Sequence, residues 1–310
     1  MEFNHIPVLL EETIASLDVK PDGLYVDATV GGGGHSRAIV EQLTEGRLLA
    51  MDQDEEALAA ARQTLAPYAD KVSYVHDNFR NIAHAIDQMF AAPVDGILFD
   101  IGVSSYQLDN AERGFSYQEE GVLDMRMDQN AHEKTARDIV NTYSESELTQ
   151  IFYQYGEERW AKRIAAFIVD ARNTQPLETS TDLVRIIKQA IPKKVRMQDK
   201  HPARRIFQAL RIEVNHELDV LEEALDAAIT RLKPGGRLAV ITFHSLEDRV
   251  VKNRFREWEQ GPELPPGLPI RAEVESLVRR VNRKPIVASE AENESNPRAR
   301  SAKLRVVEKK

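Results

Sequence analysis

The chain has 310 residues, no cysteine and a formal net charge of −9 at pH 7. The missing cysteines exclude disulfides, thiolate metal sites and a cysteine nucleophile. The acidic balance argues against a uniformly basic surface, although a local basic groove for nucleic acid is still allowed.

Composition and hydropathy indicate a globular protein without a membrane anchor. Hydrophobic residues make up 42% and charged residues 29% of the sequence, which is typical of soluble domains. No apolar run has the length of a membrane span, and the first residues lack a secretory signal pattern. We therefore expect a cytoplasmic protein.

The first hundred residues alternate between short strands and helices. An amphipathic helix over residues 10–17 comes first. The predicted strands are residues 24–29, 47–52, 72–75 and 94–100, and the helices between them are residues 36–43, 54–66 and 80–90. This alternation predicts a parallel, doubly wound sheet.

The alternation stops between about residues 107 and 204, where we predict helices and no strand. The helices are residues 144–155, 157–172 and 181–190. One long helix with a single buried face is predicted for residues 206–232. The strand pattern then resumes, with strands at 237–243 and 301–308 and a helix at 246–258.

The sequence therefore predicts an α/β fold with two domains. Residues 1–106 and 205–310 would form a discontinuous core, a Rossmann-like, doubly wound and mostly parallel sheet. Residues 107–204 would form an inserted all-helical domain.

Four consecutive glycines, residues 31–34, lie between the first strand and the helix that follows it. Backbone without Cβ atoms can approach a ligand closely at a helix N-terminus, so this context predicts a nucleotide-binding turn. The alternative is a flexible turn without a ligand.

The nature of the nucleotide depends on the residues around this turn. Asp52 ends the second strand, eighteen positions after Gly34, a spacing expected for a carboxylate that binds ribose hydroxyls. Taken alone, Asp52 could equally be a capping or solvated residue. Ser36 stands where the dinucleotide fingerprint has its third glycine. Together with the acidic Asp27 before the glycines, this favours S-adenosylmethionine, with a dinucleotide as the alternative.

Several further motifs resemble those of one known family. They are residues 30–36, 100–105, 107–109, 113–116, 123–127, 155–158, 201–203, 207–212, 214–215, 243–249 and 296–301. In this order they resemble the bacterial 16S ribosomal RNA cytosine-N4 methyltransferases, from about His5 to the C-terminus. The match is weakest between residues 262 and 295.

The resemblance implies an S-adenosylmethionine-dependent enzyme that methylates the exocyclic amine of a decoding-region cytosine in the small ribosomal subunit. It also implies a Rossmann-like core interrupted by a helical domain. The cofactor contacts that it implies are Gly33, Gly34, His35, Asp52, Phe79, Asp100 and Gln107. A homodimer is left open, and no membrane or metal is implied.

Asp100 is the candidate catalytic residue. The exocyclic amine of cytosine is a poor nucleophile, so a site must accept its N–H bonds and stabilise the positive charge that develops. Asp100 follows the fourth strand and is placed to do this, but it could instead serve the cofactor alone. The wider class of amino-methyltransferases carries a proline-rich motif here that this chain lacks.

Candidate substrate contacts are less specific. They are Arg126, Lys193, Lys194, Arg196, His201, Arg204 and His244. For Arg126 the alternative is a structural ion pair with a neighbouring aspartate. At His244 the alternative is a helix start capped by Ser245, without an RNA contact. For Asn215 we expect a hydrogen bond in the core, and His35 could stabilise the loop through its ring.

Three basic runs could contact the RNA backbone. They are Lys193, Lys194, Arg196, Lys200, Arg204 and Arg205; Arg279, Arg280, Arg283 and Lys284; and Arg298, Arg300, Lys303 and Arg305. Each run alone could be an ordinary solvated face. Two other functions stay open, a non-catalytic assembly factor and an enzyme acting on a small molecule.

Overall fold

The computed structural model describes residues 7–196, 201–261 and 276–310. The chain divides into two compact units, one formed by Met1–Gly102 with Leu218–Lys310 and the other by Val103–Glu217. The second boundary lies after the position that we predicted, residue 205. The helix that starts at Arg204 belongs to the second unit because its buried residues, such as Phe207, join the apolar core of that unit.

The strands and helices have the following bounds. The strands are β1 (Leu24–Asp27), β2 (Arg47–Asp52), β3 (Val72–His76), β4 (Val94–Asp100), β5 (Leu232–Thr242), β6 (Val278–Arg280) and β7 (Lys303–Lys309). The helices are α1 (Leu10–Leu17), α2 (Gly34–Val40), α3 (Glu55–Thr64), α4 (Ile82–Met89), α5 (Ser105–Asp109), α6 (Ala136–Thr142), α7 (Glu145–Gln154), α8 (Ala161–Thr174), α9 (Ser180–Ala190), α10 (Lys193–Arg196), α11 (Arg204–Asn215), α12 (Glu217–Arg231), α13 (Ser245–Gln260) and α14 (Glu290–Ser295). No helix in the described ranges could cross a membrane.

The described strands of the first unit form one sheet in the order β3-β2-β1-β4-β5-β7-β6. Strands β1 to β5 are parallel, and β7 runs antiparallel to both of its neighbours. The predicted mostly parallel, doubly wound sheet is confirmed. Since β1 and β4 are neighbours although β2 and β3 lie between them in sequence, their carboxyl ends meet where the strand order reverses, as at ligand sites of such sheets.

Both faces of the sheet are buried, because side chains on each strand alternate between two apolar cores. One core holds Val26, Leu49, Ile97, Val240 and residues of α4, α12 and α13. The other holds Tyr25, Leu48, Leu98, Ala239 and residues of α1, α2 and α3. This packing fixes the strand ends, from which the polar residues of the candidate site extend.

Two elements of the first unit were not predicted. Strand β6 has only three residues and lies at the edge of the sheet, so it carries too little alternation to be recognised. Helix α14 lies in a polar stretch without an apolar face and has no buried residue. Its Glu292 accepts a hydrogen bond from the Leu9 N–H (2.7 Å), so it fastens the start of α1.

The helices of the second unit enclose a separate apolar core. A capping box at Ser144 begins α7, and Thr135 and Thr179 begin α6 and α9 in the same way. Helix α8 begins at Ala161, four residues later than predicted, because Glu157 has a positive φ of 47° and cannot continue a right-handed helix.

The long helix predicted for residues 206–232 is wrong, since it is two helices. Helix α11 ends at Asn215, and His216 has a φ of 50° before α12 begins. An interruption of one residue leaves the three- and four-residue spacing of the apolar residues almost unchanged, so periodicity did not reveal it.

Asn215 makes the core hydrogen bonds that we expected. Its side-chain amide donates to the Met125 carbonyl (2.8 Å) and its oxygen accepts from the Met127 N–H (2.8 Å). The side chain therefore fastens the end of α11 to an irregular segment of the same unit, in which Met125 has a positive φ of 63°.

Replacing Asn215 by alanine should destabilise the protein by about 2–4 kcal/mol, because buried backbone groups at two positions lose their partners. Urea unfolding measures the loss. The exposed Asn130→Ala change in the same unit should stay within about 0.5 kcal/mol of the unaltered protein. Equal stability of the two variants would contradict this role of Asn215.

Candidate functional site

Asp27, at the end of β1, holds the glycine turn against the start of α2. Its side chain is buried and accepts hydrogen bonds from the Ser36 hydroxyl (2.7 Å) and the Thr29 N–H (3.2 Å). Burial raises the pKa of Asp27 to about 6, although both hydrogen bonds act in the opposite direction. Serine at position 36 thus provides a hydroxyl for Asp27 where a dinucleotide fingerprint would have glycine.

Asp52, at the end of β2, holds the other side of the same turn. One carboxylate oxygen accepts from the Gly31 N–H (2.9 Å) and the other from the Asp54 N–H (2.9 Å). Burial raises its pKa to about 6 against the effect of these two bonds. A carboxylate has about four acceptor positions, so two remain for hydroxyl groups such as those of a ribose.

The glycines differ in what they contribute to the turn. Gly33 has a φ of 84°, which strains any side chain, and a Cβ there would lie 3.3 Å from Ala61 Cα. A Cβ at Gly34 would lie 2.3 Å from Pro7 Cγ, whereas one at Gly32 would meet no atom within 4 Å. The turn requires glycine at 33 for its conformation and at 34 for close packing.

His35 connects the first turn of α2 to two other segments. Its Nε2 lies 3.0 Å from the Val8 carbonyl, which can only accept, so Nε2 carries a proton. Its Nδ1 lies 3.4 Å from Asp100 Oδ2. The expected loop-stabilising role is present, and the other ring nitrogen faces the candidate catalytic carboxyl.

Asp100, at the end of β4, is the most perturbed of the three acids. Its pKa is raised to about 8, chiefly by burial and also by the negative charges of Asp27 and Glu247. Its N–H donates to the Thr29 hydroxyl (2.7 Å), while Oδ1 is buried and makes no hydrogen bond within the described residues. A buried acceptor without a donor is costly and favours a ligand that brings one.

The end of β3 is joined to the end of β2 by side chains. The Asn78 amide donates to the Gln53 side-chain oxygen (2.7 Å). Phe79 follows directly and packs edge-on against Phe99 of β4, with ring centroids 5.5 Å apart. Gly33, Gly34, His35, Asp52, Phe79 and Asp100 thus all lie at the carboxyl ends of adjacent strands.

These residues fit S-adenosylmethionine on chemical grounds. The cofactor has a ribose, an ammonium group and a sulfonium centre, and the site offers free acceptor positions on Asp52 and the unpartnered Asp100 Oδ1. A cation would also relieve the charge that raises the carboxyl pKa values, because an opposite charge stabilises the ionised form.

Gln107 lies in the second unit and has a local role. It forms a capping box with Ser104 at the start of α5, with the Ser104 N–H donating to its side-chain oxygen at 3.0 Å. Its side chain is buried. The cofactor contact implied for Gln107 stays a prediction.

Arg126 is used within the second unit. Its Nε and Nη2 donate to the two carboxylate oxygens of Asp124 (2.7 and 2.9 Å), and Nη1 donates to the Ala131 carbonyl (2.8 Å). These contacts favour the structural ion pair that we considered as the alternative to substrate binding.

His244, and not Ser245, caps α13, so the alternative based on Ser245 is wrong. The Glu247 N–H donates to His244 Nδ1 (3.3 Å). Glu247 is fully buried and accepts from the Phe243 N–H (2.8 Å) and the His244 N–H (3.1 Å). His244 is therefore held at the end of β5, and its contact with substrate stays a prediction.

Two of the three basic runs consist largely of internal ion pairs. Arg279 and Arg280 pair with Glu308 and Glu259. Lys303 and Arg305 both pair with Asp248 on α13. These four cations, two from each run, stabilise the first unit, and the RNA contacts considered for both runs stay a prediction.

The first run keeps its exposed cations. Lys193, Lys194 and Arg204 are exposed and no described carboxylate pairs with them, while Arg205 donates to the Glu157 carbonyl (3.0 Å). The side chain of Arg196 and the whole of Lys200 lie outside the described residues.

Thr29 and Glu247 are functional candidates that sequence reasoning missed. Thr29 joins Asp27 to Asp100 through its N–H and its hydroxyl. Glu247 holds the end of β5 by a capping box. The spacing of Glu247 from His244 could have indicated a capping box, but no local pattern identifies Thr29, because its partners are set by the register of β1 against β4.

Comparison with known proteins gives full-length matches. Residues 2–310 match the MraW methylase family. Proteins named ribosomal RNA small subunit methyltransferase H match end to end. The one from Heliobacterium mobile is 54% identical and the one from Clostridioides difficile 52% identical, each over 100% of both chains. The one from Finegoldia magna is 51% identical over 100% of this chain and 99% of its own.

Gly33→Ala should cost about 1–2 kcal/mol of stability, because alanine must adopt a left-handed conformation and presses on α3. Gly32→Ala is the matched control in the same turn and should cost less than about 0.5 kcal/mol. Thermal unfolding of both variants measures the difference. Equal costs at the two positions would contradict the conformation assigned to Gly33.

The Asp100 carboxyl should make stability without cofactor fall as the pH rises from about 4 to 8. Its folded pKa is about 8 against an ordinary value of 3.8 for an aspartate, so the folded state binds the extra proton throughout that range. Asp100→Asn should be more stable than the unaltered protein at pH 8 by about 1–3 kcal/mol, since one pKa unit corresponds to about 1.4 kcal/mol.

That advantage should shrink to near zero at pH 4, where both side chains are neutral. Urea unfolding at several pH values gives the profile. The exposed Asp87→Asn variant, which loses an ion pair with Arg231, should show no gain at pH 8. A stability difference for Asp100→Asn that does not change with pH would contradict the assignment.

Proposed function

The chain belongs to the MraW methylase family, and we propose that it methylates the exocyclic N4 amine of a cytosine in the decoding region of 16S ribosomal RNA, with S-adenosylmethionine as cofactor. The match of residues 2–310 to this family carries the proposal. The relatives named ribosomal RNA small subunit methyltransferase H, at 51% to 54% identity, support the ribosomal substrate.

The cofactor would be held by the glycine turn and the strand ends. Gly33 and Gly34 permit close approach of the backbone, Asp52 offers acceptors for ribose hydroxyls, and Asp100 offers a buried acceptor for a cationic group. When bound, S-adenosylmethionine supplies a methyl group on a good leaving group. Positioning of the nucleophile then provides much of the rate.

Asp100 is proposed to accept a proton from the cytosine amine. As the N4–methyl bond forms and the sulfur–methyl bond breaks, N4 must lose a proton to a nearby acceptor. A base works best when its pKa is close to the working pH, and the pKa of Asp100 is raised to about 8. His35 Nδ1, an acceptor because Nε2 carries the ring proton, lies 3.4 Å from the Asp100 carboxyl and would accept a hydrogen bond from it once it holds the amine proton.

The absence of cysteine fits methylation of the amine. Methylation of cytosine at ring carbon C5 normally requires a covalent thiolate adduct, and this chain has no thiol. Methylation at N4 needs no such adduct. The composition of the chain is therefore compatible with methylation at N4 and not with the common thiolate route to C5.

The helical domain is proposed to recognise the ribosomal RNA within the small subunit. The exposed Lys193, Lys194 and Arg204 support backbone contacts. We also propose a cytoplasmic location, because the ribosomal RNA substrate is made and assembled there.

Whether the protein forms a homodimer is tested by light scattering of the purified protein.

Methyl transfer is tested by incubating the protein with labelled S-adenosylmethionine and small subunits that lack the modification. Nucleoside digestion should give label in N4-methylcytidine and none in 5-methylcytidine. Asp100→Asn should lower kcat about 100- to 1,000-fold, the range expected for loss of a general base, while the surface variant Asp70→Asn should retain full activity. Binding without turnover by the unaltered protein would favour an assembly factor instead.

Saturation with cofactor separates the two roles considered for Asp100. If Asp100 only binds the cofactor, Asp100→Asn raises the cofactor KM and kcat recovers at saturation. If it accepts the amine proton, kcat stays low at every cofactor concentration.

A further inference from the structure

We infer that the stacked rings of Tyr117 and His201 in the helical unit bind an unpaired nucleobase of the RNA substrate. The two ring centroids are 4.8 Å apart and the ring planes differ by 14°. The inference rests on the proposed function and extends it, since it names a contact between the RNA and the helical unit.

The stacked pair of Tyr117 and His201 packs against the apolar core through Tyr117 and remains half-exposed to solvent. Tyr117 packs edge-on against the buried Phe207, with ring centroids 5.8 Å apart. Both Tyr117 and His201 keep part of their surface in contact with solvent. The apolar core thus fixes the orientation of the rings, as a stacking surface requires, because a preordered ring loses little entropy on binding.

Polar atoms of the pair remain available to a ligand. The Ala203 N–H donates to His201 Nδ1 (3.3 Å), so Nε2 carries the proton of the neutral ring. Neither this Nε2 nor the Tyr117 hydroxyl bonds to another described residue. Burial and the charge of Lys188 lower the pKa of His201, which keeps the ring neutral and suited to stacking.

Two exposed cations are associated with His201. Lys188 on α9 acts on His201 directly, and Arg204 lies three residues further along the chain, where its N–H donates to the His201 carbonyl (3.1 Å). Both side chains are exposed, and no described carboxylate pairs with them. Aromatic rings beside unpaired cations are the combination with which proteins bind single-stranded RNA, the rings taking bases and the cations phosphates.

A purely structural role for the stacked rings would not account for the unpaired cations near them. Arg126 and Arg172 in the same unit donate to carboxylate or carbonyl oxygens, so the unit pairs its cations where they serve the fold. Around Tyr117 and His201 the cations are left to solvent. The geometry therefore favours RNA over an internal role alone.

The experiment measures binding of the full-length protein to a 16S ribosomal RNA fragment that carries 2-aminopurine at unpaired positions flanking the target cytosine. Tyr117→Leu should weaken binding roughly 5- to 150-fold, the range for loss of one base–aromatic stack, and should abolish fluorescence quenching at one position. Tyr117→Phe keeps the ring and should bind within about twofold of the unaltered protein.

Two further variants guard against misfolding and general surface effects. Tyr153→Leu removes an aromatic ring in the same unit that is 69% exposed, and it should leave binding unchanged. His201→Leu removes the second ring and should reproduce the loss of binding with an unchanged cofactor Kd. Binding is measured well below the melting temperature, which should fall slightly because the Ala203 N–H loses its acceptor.

The outcomes separate this inference from the proposed function. Wild-type affinity and quenching in both Tyr117→Leu and His201→Leu would overturn it even if N4-methylcytidine forms normally. Loss of binding to assembled subunits but not to the RNA fragment would also overturn it, because it would indicate a ribosomal protein as the contact. Absence of N4-methylcytidine with the unaltered protein would instead refute the proposed function.

Discussion

Two buried carboxylates determine the shape of the candidate site, because each ties the glycine turn to a strand end. Asp27 binds the Ser36 hydroxyl and Asp52 binds the Gly31 N–H. Without them the turn would lose one side-chain contact to each of these two strand ends. The arrangement has an electrostatic cost, since burial raises the pKa of both acids and of Asp100. Such perturbed groups are typical of sites that act on a ligand rather than of structural ion pairs.

Local pattern was enough to predict the framework of the sheet and its glycine turn. Each of the first four strands, and each helix between them, has its own apolar period. The spacing from Gly34 to Asp52 follows from the lengths of one helix and one strand. Pattern failed where structure depends on one backbone angle or a distant partner. His216 interrupts a predicted helix without disturbing the spacing of its apolar residues. The Thr29 hydroxyl accepts from the Asp100 N–H only because β1 pairs with β4.

Charge was the least informative part of the sequence. Arg279 and Lys303 belong to basic runs that look alike in sequence, yet they pair with Glu308 and Asp248. Lys193 belongs to a similar run, and no described carboxylate pairs with it. The difference is decided by carboxylates that are distant along the chain, so counting cations could not separate a structural ion pair from a surface for RNA.

The position of β7 in the sheet has a consequence for biosynthesis. It is the last of the described strands in sequence but lies between β5 and β6 in the sheet. The helical unit is continuous, so a nascent chain contains it whole while the sheet still lacks an inner strand. Co-translational folding would therefore begin with the helical unit. Until β7 is synthesised, the edge of β5 in the sheet would have no neighbouring strand. An incomplete sheet edge is prone to pair with other chains, so β7 protects β5 from such pairing once it is in place.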